Sequence, residues 1–143
     1  MKLLITGGAG FIGSNFILDR IEKGDKVLNL DKLTYSGNLD NLISVQDNEN
    51  YSFIQGDIGD KIRTQKIEFR PDAVVNFAAE THVDRSVVDP ESFVKTNVLG
   101  TSNLLLETLE YWKSLSQEER TRFRFHHIST DEVYGSLGFK DSA

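Results

Sequence analysis

The sequence contains no cysteine. A disulfide scaffold, a cysteine nucleophile and a thiolate zinc site are thereby excluded. Proline occurs only twice, against eleven glycines, which removes collagen-like and low-complexity chains from consideration. No apolar run approaches the ~20 residues that a membrane span requires. The apolar start, Leu3 to Ile5, is interrupted by glycines too soon to serve as a signal peptide. Basic residues are the minority, 16 against 22 acidic, for a formal net charge of −6; that balance opposes general binding to nucleic acid phosphates. What is present is one domain's worth of chain, 143 residues with 38% hydrophobic and 27% charged side chains. Such a length can bury roughly two-thirds of its unfolded surface without staples. A soluble, cytoplasmic α/β domain is expected.

Short β-rich runs alternate with helical stretches, and there is no internal repeat. Lys2 to Thr6 reads as a buried strand, Val27 to Leu30 as a second and Tyr51 to Gln55 as a third. Ala73 to Ala78 reads as a fourth, its apolar run suiting the middle of a parallel sheet. Phe123 to Ser129 reads as a fifth. Phe11 to Lys23 has helical spacing and ends at Gly24-Asp25. Lys61 to Phe69 reads as a short helix stopped by Pro71. Asp89-Pro90 is a helix start, an N-cap side chain followed by proline at the first helical position. That helix is expected to run to about Leu115, with Val94, Val98, Thr101, Leu105, Leu109 and Trp112 along one face. Gly100 would permit close approach of a neighbour. Five strands with crossovers imply a parallel, doubly wound Rossmann-type sheet over residues 1–143.

Gly7-Gly8-Ala9-Gly10-Phe11-Ile12-Gly13 joins the first strand to the first helix. Glycines at 7, 10 and 13 form a variant of the dinucleotide fingerprint. Gly7 would make the tight turn, Gly10 would let a pyrophosphate reach the backbone, and Gly13 would let helix and strand pack. The alternative is a merely flexible loop. Asp31 ends the second strand, where an acid can accept hydrogen bonds from ribose hydroxyls and repel a ribose phosphate, favouring NAD over NADP. Lys32 counts against this, since a base beside it can hold a phosphate. Asp57 either lies beside the adenine or caps the next turn. Ala78 and Ala79 are small enough to lie under a cofactor, or simply pack. Asp131 and Glu132 follow the fifth strand, where open α/β sheets bind ligands and where two neighbouring acids can separate in pKa. Their other reading is a pair of solvated loop acids. His82 suits a loop or structural role more than a catalytic one. His126 and His127 point to opposite faces of a strand and cannot share a metal; no metal is expected.

Thr6 to Gly13, Asp57-Ile58, Asn76 to Ala79 and Ser129 to Gly135, taken together, resemble the extended short-chain dehydrogenase/reductases. Asp31 to Leu42, Glu80 to Ser86 and Ser129 to Glu132 narrow the resemblance to the dTDP-glucose 4,6-dehydratases. The resemblance runs along essentially the whole chain but covers the amino-terminal part of that family's fold, so an amino-terminal fragment is expected. It implies NAD as cofactor, with Phe11 and Ile12 at the pyrophosphate. Asp31, Lys32, Leu33 and Thr34 would stand at the ribose, and Asp57 and Ile58 near the adenine. Phe77, Ala78, Ala79, Glu80 and Thr81 would line the cofactor, and Thr96 its nicotinamide side. Thr81 and Thr130 would also reach a nucleotide-sugar substrate. Glu132 would remove the carbon 5 proton, Asp131 would protonate the departing carbon 6 hydroxyl, and Thr130 would hydrogen-bond near the carbon 4 oxygen. A homodimer paired through the long helix is implied as well.

The family's Tyr-x-x-x-Lys motif is missing. Four residues beyond Tyr35, Tyr51, Tyr111 and Tyr134 stand Leu39, Gln55, Leu115 and Gly138. The 143 residues alone are therefore expected to be inactive. Alternatives are a UDP-sugar 4,6-dehydratase, a 4-epimerase of the same superfamily, or a non-catalytic NAD-binding module.

Overall fold

The computed structural model describes residues 1–60, 68–130, 133 and 135. Five parallel strands, β1 (Lys2–Thr6), β2 (Lys26–Asp31), β3 (Tyr51–Gln55), β4 (Ala73–Asn76) and β5 (Arg124–His127), form one sheet in the order β3-β2-β1-β4-β5. The order reverses beside β1, which is the switch point where doubly wound sheets open a crevice at their carboxyl ends. In register, Thr6 at the end of β1 pairs with Leu30 of β2 and Asn76 of β4.

The central strands are buried at successive positions, with alternate side chains facing opposite layers. Leu3 and Ile5 pack with Ile17 and Ile21 of α1 (Phe11–Glu22) and with Val27, Ala73 and Val75. Leu4 faces the other way and joins Leu28, Leu30, Val74, Leu104 and Tyr111. Each buried aliphatic side chain of this kind stabilises the fold by roughly 1.5–3 kcal/mol, and continuous apolar strands follow from helices on both faces.

The helix from Asp89 is present, and Asp89 caps it by accepting the Ser92 N–H at 3.3 Å. It runs without a break through α3 (Pro90–Phe93), a π-helical stretch (Val94–Gly100) and α4 (Thr101–Ser114). The stripe expected along one face is not the one that meets the sheet. Leu104, Thr108 and Tyr111 are buried, whereas Val94, Val98, Leu105 and Leu109 are exposed. Gly100 does admit a neighbour: a Cβ there would stand 2.9 Å from Ile58 Cγ1. Two short helices were not expected, α2 (Val83–Val88), which buries nothing, and α5 (Gln117–Arg122). A capping box between Ser116 and Glu119 starts α5. β4 and β5 end two residues earlier than their apolar runs suggested. The helix expected over Lys61 to Phe69 falls mostly outside the described residues.

Asp25, buried in the turn before β2, accepts from the Met1 ammonium at 2.5 Å and from the Arg20 guanidinium. Burial raises its pKa, but these two cationic donors outweigh it and hold the carboxyl below its usual range.

Candidate functional site

Gly7, at φ +70°, lies in the left-handed region, and a Cβ on it would stand 2.5 Å from the Ala78 backbone nitrogen. The turn after β1 is thus pressed against the chain leaving β4. A Cβ at Gly13 would lie 2.4 Å from Gly7 O, so this glycine sets how closely α1 approaches the turn. Gly10 differs: its nearest neighbour would be 3.4 Å away. The space beside it is open.

Gly10 is also the N-cap of α1, with no side-chain cap and no acid in the first turn. The first N–H groups of the helix therefore lack intrahelical partners and present the positive end of the helix dipole. This is the arrangement that receives a phosphate. Phe11 and Ile12 project outward, 82% and 64% exposed, leaving their backbone N–H groups as the useful part.

Asp31 stands beside this turn, its side chain accepting the Ala9 N–H and the Leu33 N–H, both at 2.8 Å. A carboxylate offers about four acceptor positions, so two bonds leave capacity for ribose hydroxyls. Leu33 makes its bond from a left-handed backbone, φ 57°. Lys32 is committed elsewhere: its ammonium is 2.7 Å from Asp57 Oδ2. Asp57 also caps its turn by accepting the Gly59 N–H at 2.8 Å. Burial raises the Asp57 pKa, but the Lys32 hydrogen bond and the Gly59 N–H prevail and lower it; the same hydrogen bond raises the Lys32 pKa.

Gly7, Gly10, Asp31, Lys32, Thr34, Asp57, Ile58, Phe77, Ala78, Ala79, Glu80 and Thr96 line one cavity. Thr81 and Thr130 line a second, and Ala78, Ala79 and Glu80 form a wall common to both. An elongated ligand entering at the glycine turn would cross that wall. Asn76 fixes it. Its buried Oδ1 accepts the Thr6 hydroxyl at 2.5 Å and the Ala78 N–H at 3.1 Å, and its amide nitrogen meets His127 Nδ1 at 3.0 Å. Asp131 and Glu132 lie outside the described residues, as does Tyr134. Among the described residues no cluster of three or more His, Asp or Glu side chains is placed to hold a metal.

Sequence reasoning missed several contributors. Ser36, Gly37 and Gly56 line the first cavity, and a Cβ at Gly37 would come within 3.0 Å of Asp31 Oδ1. A glycine six residues past Asp31 was the available signal. Asn97 carries no sequence signal, yet its amide accepts the Glu80 N–H and donates to the Glu80 carbonyl, both at 2.8 Å.

The family model for GDP-mannose 4,6 dehydratase matches residues 4–142. The dTDP-glucose 4,6-dehydratase of Xanthomonas campestris pv. campestris (strain B100) is 54% identical over 137 residues, 94% of this chain and 39% of that protein. The crystal structure of the dTDP-glucose 4,6-dehydratase from Streptomyces venezuelae, with NAD bound, superposes with a TM-score of 0.80 at 43% identity, covering 96% of this chain and 42% of that one. The Bacillus anthracis enzyme of that name, also with NAD, superposes with a TM-score of 0.78 at 41% identity, over 97% and 40%. The chain spans about 40% of the length of each of these relatives.

Proposed function

Since the chain belongs to the GDP-mannose 4,6 dehydratase family, we propose that it forms the NAD-binding part of a dTDP-glucose 4,6-dehydratase, which converts dTDP-glucose to dTDP-4-keto-6-deoxyglucose. The observation that carries the reading is the uncapped start of α1 beside open space at Gly10, with Asp31 alongside. Bound there, NAD supplies the acceptance and return of hydride. The first N–H groups of α1 hold the pyrophosphate, and Asp31 accepts from the adenosine ribose. Lys32, neutralised by Asp57, offers little to a ribose phosphate, which favours NAD over NADP.

On the substrate side, Thr81 and Thr130 line the second cavity and hydrogen-bond the sugar. Oxidation at carbon 4 acidifies the proton on carbon 5. Glu132 takes that proton and Asp131 gives one to the hydroxyl leaving carbon 6, each worth ~10²–10⁴-fold in rate as a general acid or base. The dTDP specificity rests on the 54% identity to the Xanthomonas enzyme. The exposed stripe Val98, Leu105 and Leu109 is the surface through which two copies pair as a homodimer. No helix among the described residues is long and apolar enough to cross a membrane, which agrees with a cytoplasmic setting.

Titration calorimetry tests the cofactor assignment. The chain should bind NAD more tightly than NADP, and Asp31→Ala should weaken NAD and narrow the gap. A wild-type preference for NADP would refute the role given to Asp31.

A further inference from the structure

The first cavity is framed by two loops from different strands, residues 32–37 after β2 and 77–80 after β4. At the rim of the cavity, a cluster of side chains that includes the lining residue Glu80 joins them. The Tyr35 hydroxyl donates to Glu80 Oε2 at 3.2 Å, a contact spanning 45 residues of sequence. The Arg85 guanidinium carbon lies 3.5 Å from the centre of the Tyr35 ring, and the His82 ring packs on it at 5.9 Å. Arg85 makes no salt bridge among the described residues, so the aromatic face is its main tether. Glu80 is in turn fixed through its backbone by the Asn97 amide. Asn97 sits in the π-helical stretch, a helix distortion that recurs at functional sites. Burial, followed by the Glu80 charge, raises the Tyr35 pKa, which keeps the phenol protonated as a donor.

We propose that Tyr35, Glu80, Arg85 and Asn97 form a latch that holds the β2-side loop against the β4-side loop and slows the escape of a dinucleotide lying between them. The proposal rests on the reading of this cavity as the NAD site. These are positioning residues: they act on the ligand by fixing the two walls around it. A latch stabilises the occupied state after entry, so its loss appears in the dissociation rate rather than in association, as for most affinity changes.

The test is stopped-flow measurement of NAD association and dissociation, with thermal unfolding of each variant alongside. Tyr35→Phe removes the hydroxyl and keeps the ring under Arg85. It should raise the dissociation rate roughly 3- to 10-fold, the scale of one hydrogen bond, leaving association and the unfolding midpoint unchanged. Arg85→Lys, which loses the stacked plane, should do the same by a few-fold. Glu80→Gln, still an acceptor, should retain most of the wild-type behaviour that Glu80→Ala loses. Tyr35→Phe combined with Glu80→Ala should dissociate no faster than the worse single variant, because both remove one bond. NAD binding by wild type with unchanged dissociation from Tyr35→Phe and Arg85→Lys would overturn the latch and leave the site intact. Multiplying effects in the double variant, or faster dissociation only in variants that also unfold earlier, would overturn it too. Failure of the wild type to bind NAD would overturn the site reading itself, and the latch with it.

Discussion

Two glycines three residues apart carry opposite expectations for an added methyl group. At Gly13 the new Cβ would lie 2.4 Å from Gly7 O and 2.8 Å from Gly8 Cα. Both neighbours are backbone, so the start of α1 must move. Alanine ordinarily favours a helix interior by about 1 kcal/mol over glycine, while overpacking of this kind costs about 1–3 kcal/mol. Because both clashing atoms are backbone, the upper part of that range applies, and Gly13→Ala should be destabilised by about 1–2 kcal/mol, lowering the unfolding midpoint by several degrees. At Gly10 the backbone is extended, φ −74° and ψ 171°, and the nearest atom to a Cβ is 3.4 Å away. The fold tolerates alanine there, losing at most ~1 kcal/mol through the poorer N-cap. The methyl group instead occupies the space through which a pyrophosphate reaches the helix N-terminus. NAD affinity should fall at least tenfold, about 1.4 kcal/mol. Scanning fluorimetry without ligand and calorimetry with NAD separate the two outcomes. Gly10→Ala binding like wild type would refute pyrophosphate approach at this turn. An unfolding midpoint for Gly13→Ala equal to wild type would refute the close contact between α1 and the turn.

The remaining predictions concern acids. Asp25 has a folded pKa below its unfolded value, so its contribution is fully present above about pH 4 and disappears as pH falls through the lowered folded value. Acid unfolding of Asp25→Asn should lose that dependence, with stability at neutral pH reduced by about 1–3 kcal/mol; an unchanged acid limb would refute the pairing. In a longer protein that carries the Tyr-x-x-x-Lys motif, Asp131→Asn with Glu132→Gln should slow loss of water ~10²-fold or more. A 4-keto sugar retaining its carbon 6 hydroxyl should then be trapped. Formation of the 4-keto-6-deoxy product at near wild-type rate would return both residues to the status of solvated loop acids.

The strands were legible because a parallel sheet covered on both faces needs continuous apolar runs, and Leu3 to Ile5 and Val74-Val75 supply them. The turn after β1 was legible because Gly7 and Gly13 answer local steric demands, whereas Gly10 stands beside open space. α2 was not, since Val83, Val87 and Val88 are exposed and leave no periodic signature. The core-facing side of the long helix was misplaced by one position. Leu104 and Tyr111 are buried while Leu105 and Trp112 are exposed or nearly so, and spacing alone does not tell two adjacent apolar stripes apart. The contact of Asn97 is with Glu80, 17 residues away, which no local pattern encodes.

Asn76 divides the site into parts that can and cannot change independently. Its amide oxygen closes a hydrogen bond inside the sheet, to Thr6 on the neighbouring strand, and another to the cavity wall at Ala78. The wall's position is thereby a property of the core. A substitution that loosens β1 against β4 displaces the surface a ligand rests on, and no change at that wall leaves stability untouched. The loop 32–37 is tied to the sheet only near its start, where the Leu33 N–H bonds to Asp31 and the Lys32 carbonyl accepts from Gln55. Variation in ligand affinity among chains of this fold should accumulate beyond that start, on the side of the cleft where drift costs the sheet least.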